Sequence, residues 1–192
     1  MTYPLLRFAH LLGAILMGAG LIGVFMADLR LRQIRALPTF AEHVRTIAVF
    51  YDGLVVPGAL LLLGSGTWMI VTVYGGWAFA QVPWLLGMAI LFALEVVEGN
   101  TITRLYFLRL RRLTREALAA GGVTPELQRA RGEPVPTLTH FLDLPLYTVI
   151  VSLGAMRPET WVHFAVGVPL ALAVGVALSI ALPRLYPWTP EE

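Results

Sequence analysis

The run YPLLRFAHLLGAILMGAGLIGVFMA, Tyr3 to Ala27, decides the fold. It carries a single charge, Arg7, in a stretch longer than the roughly 20 apolar residues that cross a bilayer core. It closes at Asp28-Leu29-Arg30, with Arg32 and Arg35 following. A secretory signal would place its basic residues before the apolar run and a small-residue cleavage site after it. Arginines after a long run are instead a stop-transfer pattern, so this segment reads as a retained transmembrane helix.

Outward from this span the same composition continues. Of 192 residues 57% are hydrophobic and 14% charged, against about 25% charged in ordinary soluble domains. Four more apolar stretches follow, giving spans over about 3–27, 42–74, 83–106, 137–156 and 161–182. Residues 109–136 form the sizeable polar segment, rich in Arg, Gly and Pro. Thr39 with Glu42 has capping-box spacing and places a helix start near Phe40. Pro57 marks a kink inside the second span, and Gly75–Val82 reads as a tight interfacial turn. The expected fold is all-α: one domain, 1–192, built as a five-helix membrane bundle.

Orientation follows from the basic residues, which are all arginine: 14 of them and no lysine. Twelve fall on one side (Arg30, Arg32, Arg35, Arg45, Arg104, Arg109, Arg111, Arg112, Arg115, Arg129, Arg131, Arg184) and two, Arg7 and Arg157, on the other. The positive-inside rule then puts the N-terminus outside and the C-terminus in the cytoplasm, in a bacterial inner membrane. Beside the membrane, the arginines of 104–115 suit anionic lipid headgroups, and without base-stacking aromatics they do not suit nucleic acid.

Several chemistries are excluded. Cysteine is absent, so disulfides, thiolate metal sites and cysteine nucleophiles are out. Without lysine there is no Schiff base. No P-loop, dinucleotide glycine fingerprint, His-Glu-x-x-His or Gly-x-Ser-x-Gly occurs.

Ionisable residues inside spans are costly, about 2.5–3.5 kcal/mol even on the lenient insertion scale, and mark functional sites by default. Four histidines sort by depth into two pairs. His10 lies about 10 Å into the first span at 1.5 Å per residue, and His163 near the outer start of the fifth. His43 and His140 lie at the cytoplasmic starts of the second and fourth helices. Imidazoles at one level on separate helices are what bis-histidine ligation of heme iron requires.

Small residues below His10 (Gly13, Ala14) and His163 (Gly167, Ala171, Gly175, Ser179) could make room for a porphyrin, or could equally be close helix packing. A polar cluster accompanies the inner pair: Asp28, Tyr51, Asp52, Glu95, Glu98, Asp143 and Tyr147, with His140, Asp143 and Tyr147 on one helix face. It suits ligand orientation, a proton path or structural ion pairs. Glu-x-x-Glu on one helix and His-x-x-Asp on another do not match a di-iron carboxylate site.

The opening His10-Leu-Leu-Gly-Ala-Ile-Leu-Met-Gly-Ala-Gly20 resembles the first helix of a bacterial superfamily of small membrane proteins. That superfamily includes copper-resistance protein D-like proteins, the HemJ-type protoporphyrinogen oxidase and an uncharacterised family of predicted integral membrane proteins. The runs Asp52-Gly-Leu-Val-Val-Pro-Gly58, Leu94-Glu-Val-Val-Glu-Gly-Asn100 and Ala155-Met-Arg-Pro158 resemble the uncharacterised family's second, third and fourth helices. The resemblance implies a compact helical bundle in which His10 is a heme or metal ligand. The HemJ-type enzyme is thought to use a lysine as well, and the absence of lysine here sets protoporphyrinogen oxidation aside.

The expectation is a membrane b-type cytochrome with one or two hemes b, ligated by His10 and His163 and by His43 and His140. It would pass electrons from quinol or another redox protein, in a lipid membrane and as a possible homo-oligomer. The alternatives are a copper, metal or small-molecule transporter, for which the six methionines are scattered, and a non-catalytic subunit or assembly factor.

Overall fold

Two prolines shape the second span before any tertiary contact does. In the computed structural model, which describes residues 2–186, its first helix begins at Leu37 (α2, Leu37–Phe50) with Pro38 in the first turn. Proline's fixed φ and missing N–H suit that position. The helix therefore starts ahead of the Thr39–Glu42 capping box, with Ala36 as N-cap and no side-chain cap. Pro57 acts further on. It cannot donate a backbone hydrogen bond, and its ring crowds the carbonyl of the preceding turn. The chain relaxes into a π-bulge over Tyr51–Val55 and resumes as α3 (Val56–Thr72).

The other elements are α1 (Thr2–Leu31), α4 (Pro83–Glu98), a second π-bulge (Gly99–Thr103), α5 (Arg104–Ala119), α6 (Pro125–Arg131), α7 (Pro134–Met156) and α8 (Val162–Leu185). No strand occurs among the described residues. Five helical stretches are long and apolar enough to span a membrane: Tyr3–Leu31, Leu37–Thr72, Pro83–Ala119, Pro134–Met156 and Val162–Leu185. The second and third run to 36 and 37 residues, about 55 Å at 1.5 Å each, so they outrun a core of roughly 30 Å.

Where they project, they build a cap. Tyr106, Phe107, Leu110, Leu113, Thr114 and Ala117 form the buried stripe of α5, while Arg109, Arg111, Arg112 and Arg115 occupy its other faces. Leu127 and Ala130 of α6 complete this core with Phe40, Val44 and Ile47 of α2. Arg131 is buried and stacks over Phe40 at 4.4 Å. Burial lowers its guanidinium to about 10, so it stays charged at neutral pH.

Turn chemistry closes the opposite end. Gly75, at φ 73°, takes the left-handed conformation that starts the short Gly76–Gln81 turn. Arg157 ends α7 at φ 48°, immediately before Pro158, which disfavours helical geometry in the residue ahead of it. Its guanidinium lies 5.4 Å from the Trp84 ring at the head of α4.

Glycines set the helix contacts. A Cβ on Gly58 would come within 2.4 Å of the Met17 backbone nitrogen, and one on Gly13 within 2.9 Å of the Gly58 carbonyl oxygen. These glycines let α1 and α3 touch backbone to backbone. α7 packs against α1, α4 and α8. Only Ala171 and Gly175 of α8 are buried, and Val162, Val166, Leu170 and Ile180 are exposed on it. That is the surface of a helix that faces lipid.

Candidate functional site

Two polar regions lie at membrane depth. In the first, the π-bulges meet: Tyr51 donates its hydroxyl proton to the Gly99 carbonyl at 2.7 Å. Bulges of this kind concentrate at functional sites because they re-aim side chains and free backbone groups. Here they flank three carboxyl groups. Glu95 and Glu98 sit on the last turn of α4, and Asp143 on α7. Asp143 lies close enough to Glu95 and Glu98 to feel both charges. Thr103 donates to Glu98 Oε1 at 2.7 Å and lies 3.2 Å from Thr139 Oγ1. Glu95 and Asp143 are each only 6% exposed, and Glu95 Oε1 and Glu98 Oε2 have no hydrogen-bond partner. Asp52, on the first bulge, is surface-exposed and pairs with Arg104 at 3.2 Å.

One turn away on α7 is His140, with neither ring nitrogen hydrogen-bonded. Its Nε2 lies 3.7 Å from Asp28 Oδ2, and its ring is flanked by Phe107 and Phe141 at 5.4 and 4.9 Å between centroids. Asp28 in turn accepts from Arg32 Nε at 2.7 Å in a pair whose side chains are each 3% exposed.

The second region holds the outer imidazoles, which share one arrangement. Ser65 Oγ donates to the Leu61 carbonyl at 2.5 Å and stands 3.0 Å from His10 Nδ1. Its proton is committed, so the imidazole is the donor, Nδ1 carries hydrogen, and Nε2 holds the lone pair. Leu62 offers a further carbonyl beside the ring. A Cβ on Gly66 would approach His10 Cε1 to 3.3 Å, so glycine lets the ring lie close against α3 there. On α8, His163 Nε2 stands 2.9 Å from Ser152 Oγ, which donates to the Val149 carbonyl at 2.8 Å. The same reasoning leaves His163 Nδ1 as the lone pair.

A model of the family described as "Predicted integral membrane protein (DUF2269)" matches residues 4–158. The chain belongs to that family. Comparison with curated proteins and with solved structures returns no match. The part shared with the DUF2269 family runs from α1 to the end of α7, so it contains His10, His43, His140 and the carboxyl cluster, and stops short of His163.

For this DUF2269 member the four sequence-predicted histidines take different partners. His10 is held by α3 and His163 by α7, and α7 touches both α1 and α8. The small residues expected to admit a porphyrin are closed by helix packing. Gly13 meets Gly58 and Leu62, Gly167 meets Val149, and Gly175 meets Leu142. His43 turns back on its own helix, with Nδ1 donating to the Thr39 carbonyl at 3.1 Å. His140 lies within the bundle between two phenylalanines, not at the headgroups.

Glu95, Glu98 and Asp143 do come together, with Tyr51 and Thr103 joining them, while Asp52 stands apart in its pair with Arg104. Among the described residues no group of three His, Asp or Glu is arranged to hold a metal ion. Sequence reading assigned Arg32 to a charged helix end. The i,i+4 spacing of Asp28 and Arg32 was the signal that the two form a buried pair.

Proposed function

We propose that this protein is a membrane b-type cytochrome in which His10 supplies an axial bond to heme iron. The observation that carries the reading is the committed Ser65 hydroxyl, which fixes the His10 tautomer with Nε2 as a lone-pair nitrogen. A hydrogen bond on the far ring nitrogen is the usual support of a ligating histidine, because it sets ring orientation and raises basicity. The resemblance of the His10–Gly20 run, which implies a heme or metal ligand at His10, points the same way.

His163, oriented alike by Ser152, is the second axial candidate. The inner pair does not fit a second heme: Phe107 and Phe141 flank His140, and His43 is bound to its own backbone. That leaves His10 and His163 for one heme b, whose porphyrin would lie outside the helix contacts that fill the Gly13, Gly167 and Gly175 positions. When bound, the heme supplies one-electron chemistry, with quinol or a redox protein as donor. The chain's own residues orient the imidazole and hold the surrounding helices in backbone contact. By the positive-inside rule the arginine distribution supports an N-terminus outside and a C-terminus in the cytoplasm, which suits a bacterial inner membrane.

The test is a pyridine hemochrome assay on purified protein, with Ser65→Ala beside the wild type. One heme b per chain is expected, with several-fold less retained in the variant, since its imidazole loses the acceptor that fixes the tautomer. Heme-free wild type would overturn the reading. A transporter would then lead, favoured by the carboxyl cluster at membrane depth.

A further inference from the structure

We propose that Arg111 and Arg115 of α5 bind the headgroup of an anionic phospholipid at the arginine-rich surface of the membrane. Leu94 and Val97 of α4 and Leu105 and Leu108 of α5 are exposed, an apolar surface carried along the helical stretch of the third span, Pro83–Ala119. At Leu108 it ends. Arg111 and Arg115 follow at i+3 and i+7, on the same helix face, and both are exposed. The surface changes from leucine to guanidinium within one helical turn, about 5 Å, as it must where hydrocarbon gives way to headgroups.

Acidic partners set these two apart from their neighbours. Five arginines lie within residues 104–115. Arg104 pairs with Asp52 at 3.2 Å, Arg109 with Glu133, and Arg112 with Glu116 at 3.8 Å. On α6, Arg129 pairs with Glu126 at 2.9 Å. Arg111 and Arg115 meet no carboxylate among the described residues. The uncompensated charge of α5 therefore sits on two guanidiniums one turn apart, about 6 Å along the axis.

The helix cannot turn this face away. Its opposite side, with Tyr106, Phe107, Leu110, Leu113 and Ala117, is buried in the core that α5 shares with α2 and α6. A guanidinium offers paired N–H donors in a plane that matches two phosphate oxygens. Two of them on one face take a phosphate from the headgroup side, while Leu105 and Leu108 receive the acyl chains below it. The leucines make the occupant a lipid and not a soluble phosphate. The double cation makes it a lipid with net negative charge, because a choline group cancels the charge of its own phosphate.

The test is native mass spectrometry of the purified protein in detergent, titrated with dioleoylphosphatidylglycerol and, separately, with dioleoylphosphatidylcholine. The readout is bound lipid, whether or not heme is present, so it is independent of the cytochrome reading. Phosphatidylglycerol is expected to bind several-fold more tightly. Arg111→Gln and Arg115→Gln are each expected to weaken it roughly fivefold, the effect of one basic residue at a charged membrane surface, with phosphatidylcholine binding and helical content unchanged. Arg112→Gln, at the arginine shared with Glu116, is expected to cost less. Millimolar inorganic phosphate is expected to leave the lipid in place. Equal binding of the two lipids, a loss at Arg112 as large as at Arg111 and Arg115, or displacement by phosphate would overturn the proposal.

Discussion

Tyr51 and Gly99 join the two π-bulges: the tyrosine hydroxyl donates to the glycine carbonyl at 2.7 Å, 48 residues away in sequence. Gly99 is buried, and a Cβ there would stand 2.8 Å from that hydroxyl oxygen. The bond and the missing side chain are one device. Tyr51→Phe removes the donor and leaves a buried carbonyl unsatisfied, at a cost of about 1–3 kcal/mol. Gly99→Ala is expected to cost a similar amount by displacing the hydroxyl. The double variant is expected to lose less than the sum, because phenylalanine has no oxygen to collide with. Thermal unfolding in detergent measures all three.

The buried ion pair gives a second expectation. Asp28 and Arg32 are each 3% exposed, and removing one partner of such a pair costs about 3–5 kcal/mol. Asp28→Asn is expected to destabilise by roughly 3 kcal/mol and to alter the surroundings of His140, 3.7 Å from the same carboxylate oxygen. The change Asp28→Leu with Arg32→Met, which removes both charges, is expected to recover most of that loss. Denaturant titration of the reconstituted variants checks the order.

Topology can be read directly. Cysteines introduced at Gly75 and Arg157 are expected to react with an impermeant thiol reagent added to intact cells, and one at Gly122 is not. Gly75 and Arg157 both lie at turns with left-handed backbone, joining α3 to α4 and α7 to α8. Glycine is the tolerant residue at Gly75, so the Arg157 and Gly122 sites carry the comparison if that variant expresses poorly. The reverse labelling pattern would invert the arginine-based orientation.

The five-helix architecture was legible because membrane spans announce themselves by length and composition. Local departures were legible only in part. Pro57 marked the second span as irregular, but the same proline also allows a simple kink, and the bond from Tyr51 to Gly99 across the two bulges joins residues too far apart in sequence for local spacing to show. The capping box at Thr39 lost to Pro38, whose ring geometry suits a first turn that starts three residues earlier, at Leu37. Glu95, Glu98 and Asp143 were visible as ionisable residues at depth, and the i, i+3 spacing of the two glutamates put them near one face. Their proximity to Asp143 depends on how α4 packs on α7, which spacing within one helix cannot show.

The small-residue stripes were ambiguous for a related reason. Gly167 and Gly175 have the same pattern whether they admit a ligand or a neighbouring helix, and here Val149 and Leu142 occupy the space.

The central claim is that His10 Nε2 bonds heme iron, and the most direct measurement is the absorbance spectrum of His10→Gly with and without added imidazole. Wild-type protein is expected to show a six-coordinate low-spin heme b spectrum. The variant is expected to lose heme or turn high-spin, and free imidazole to restore the low-spin form in heme-loaded protein by filling the vacated position. A wild type without heme, or a His10→Gly variant whose low-spin spectrum is unchanged, would contradict the account.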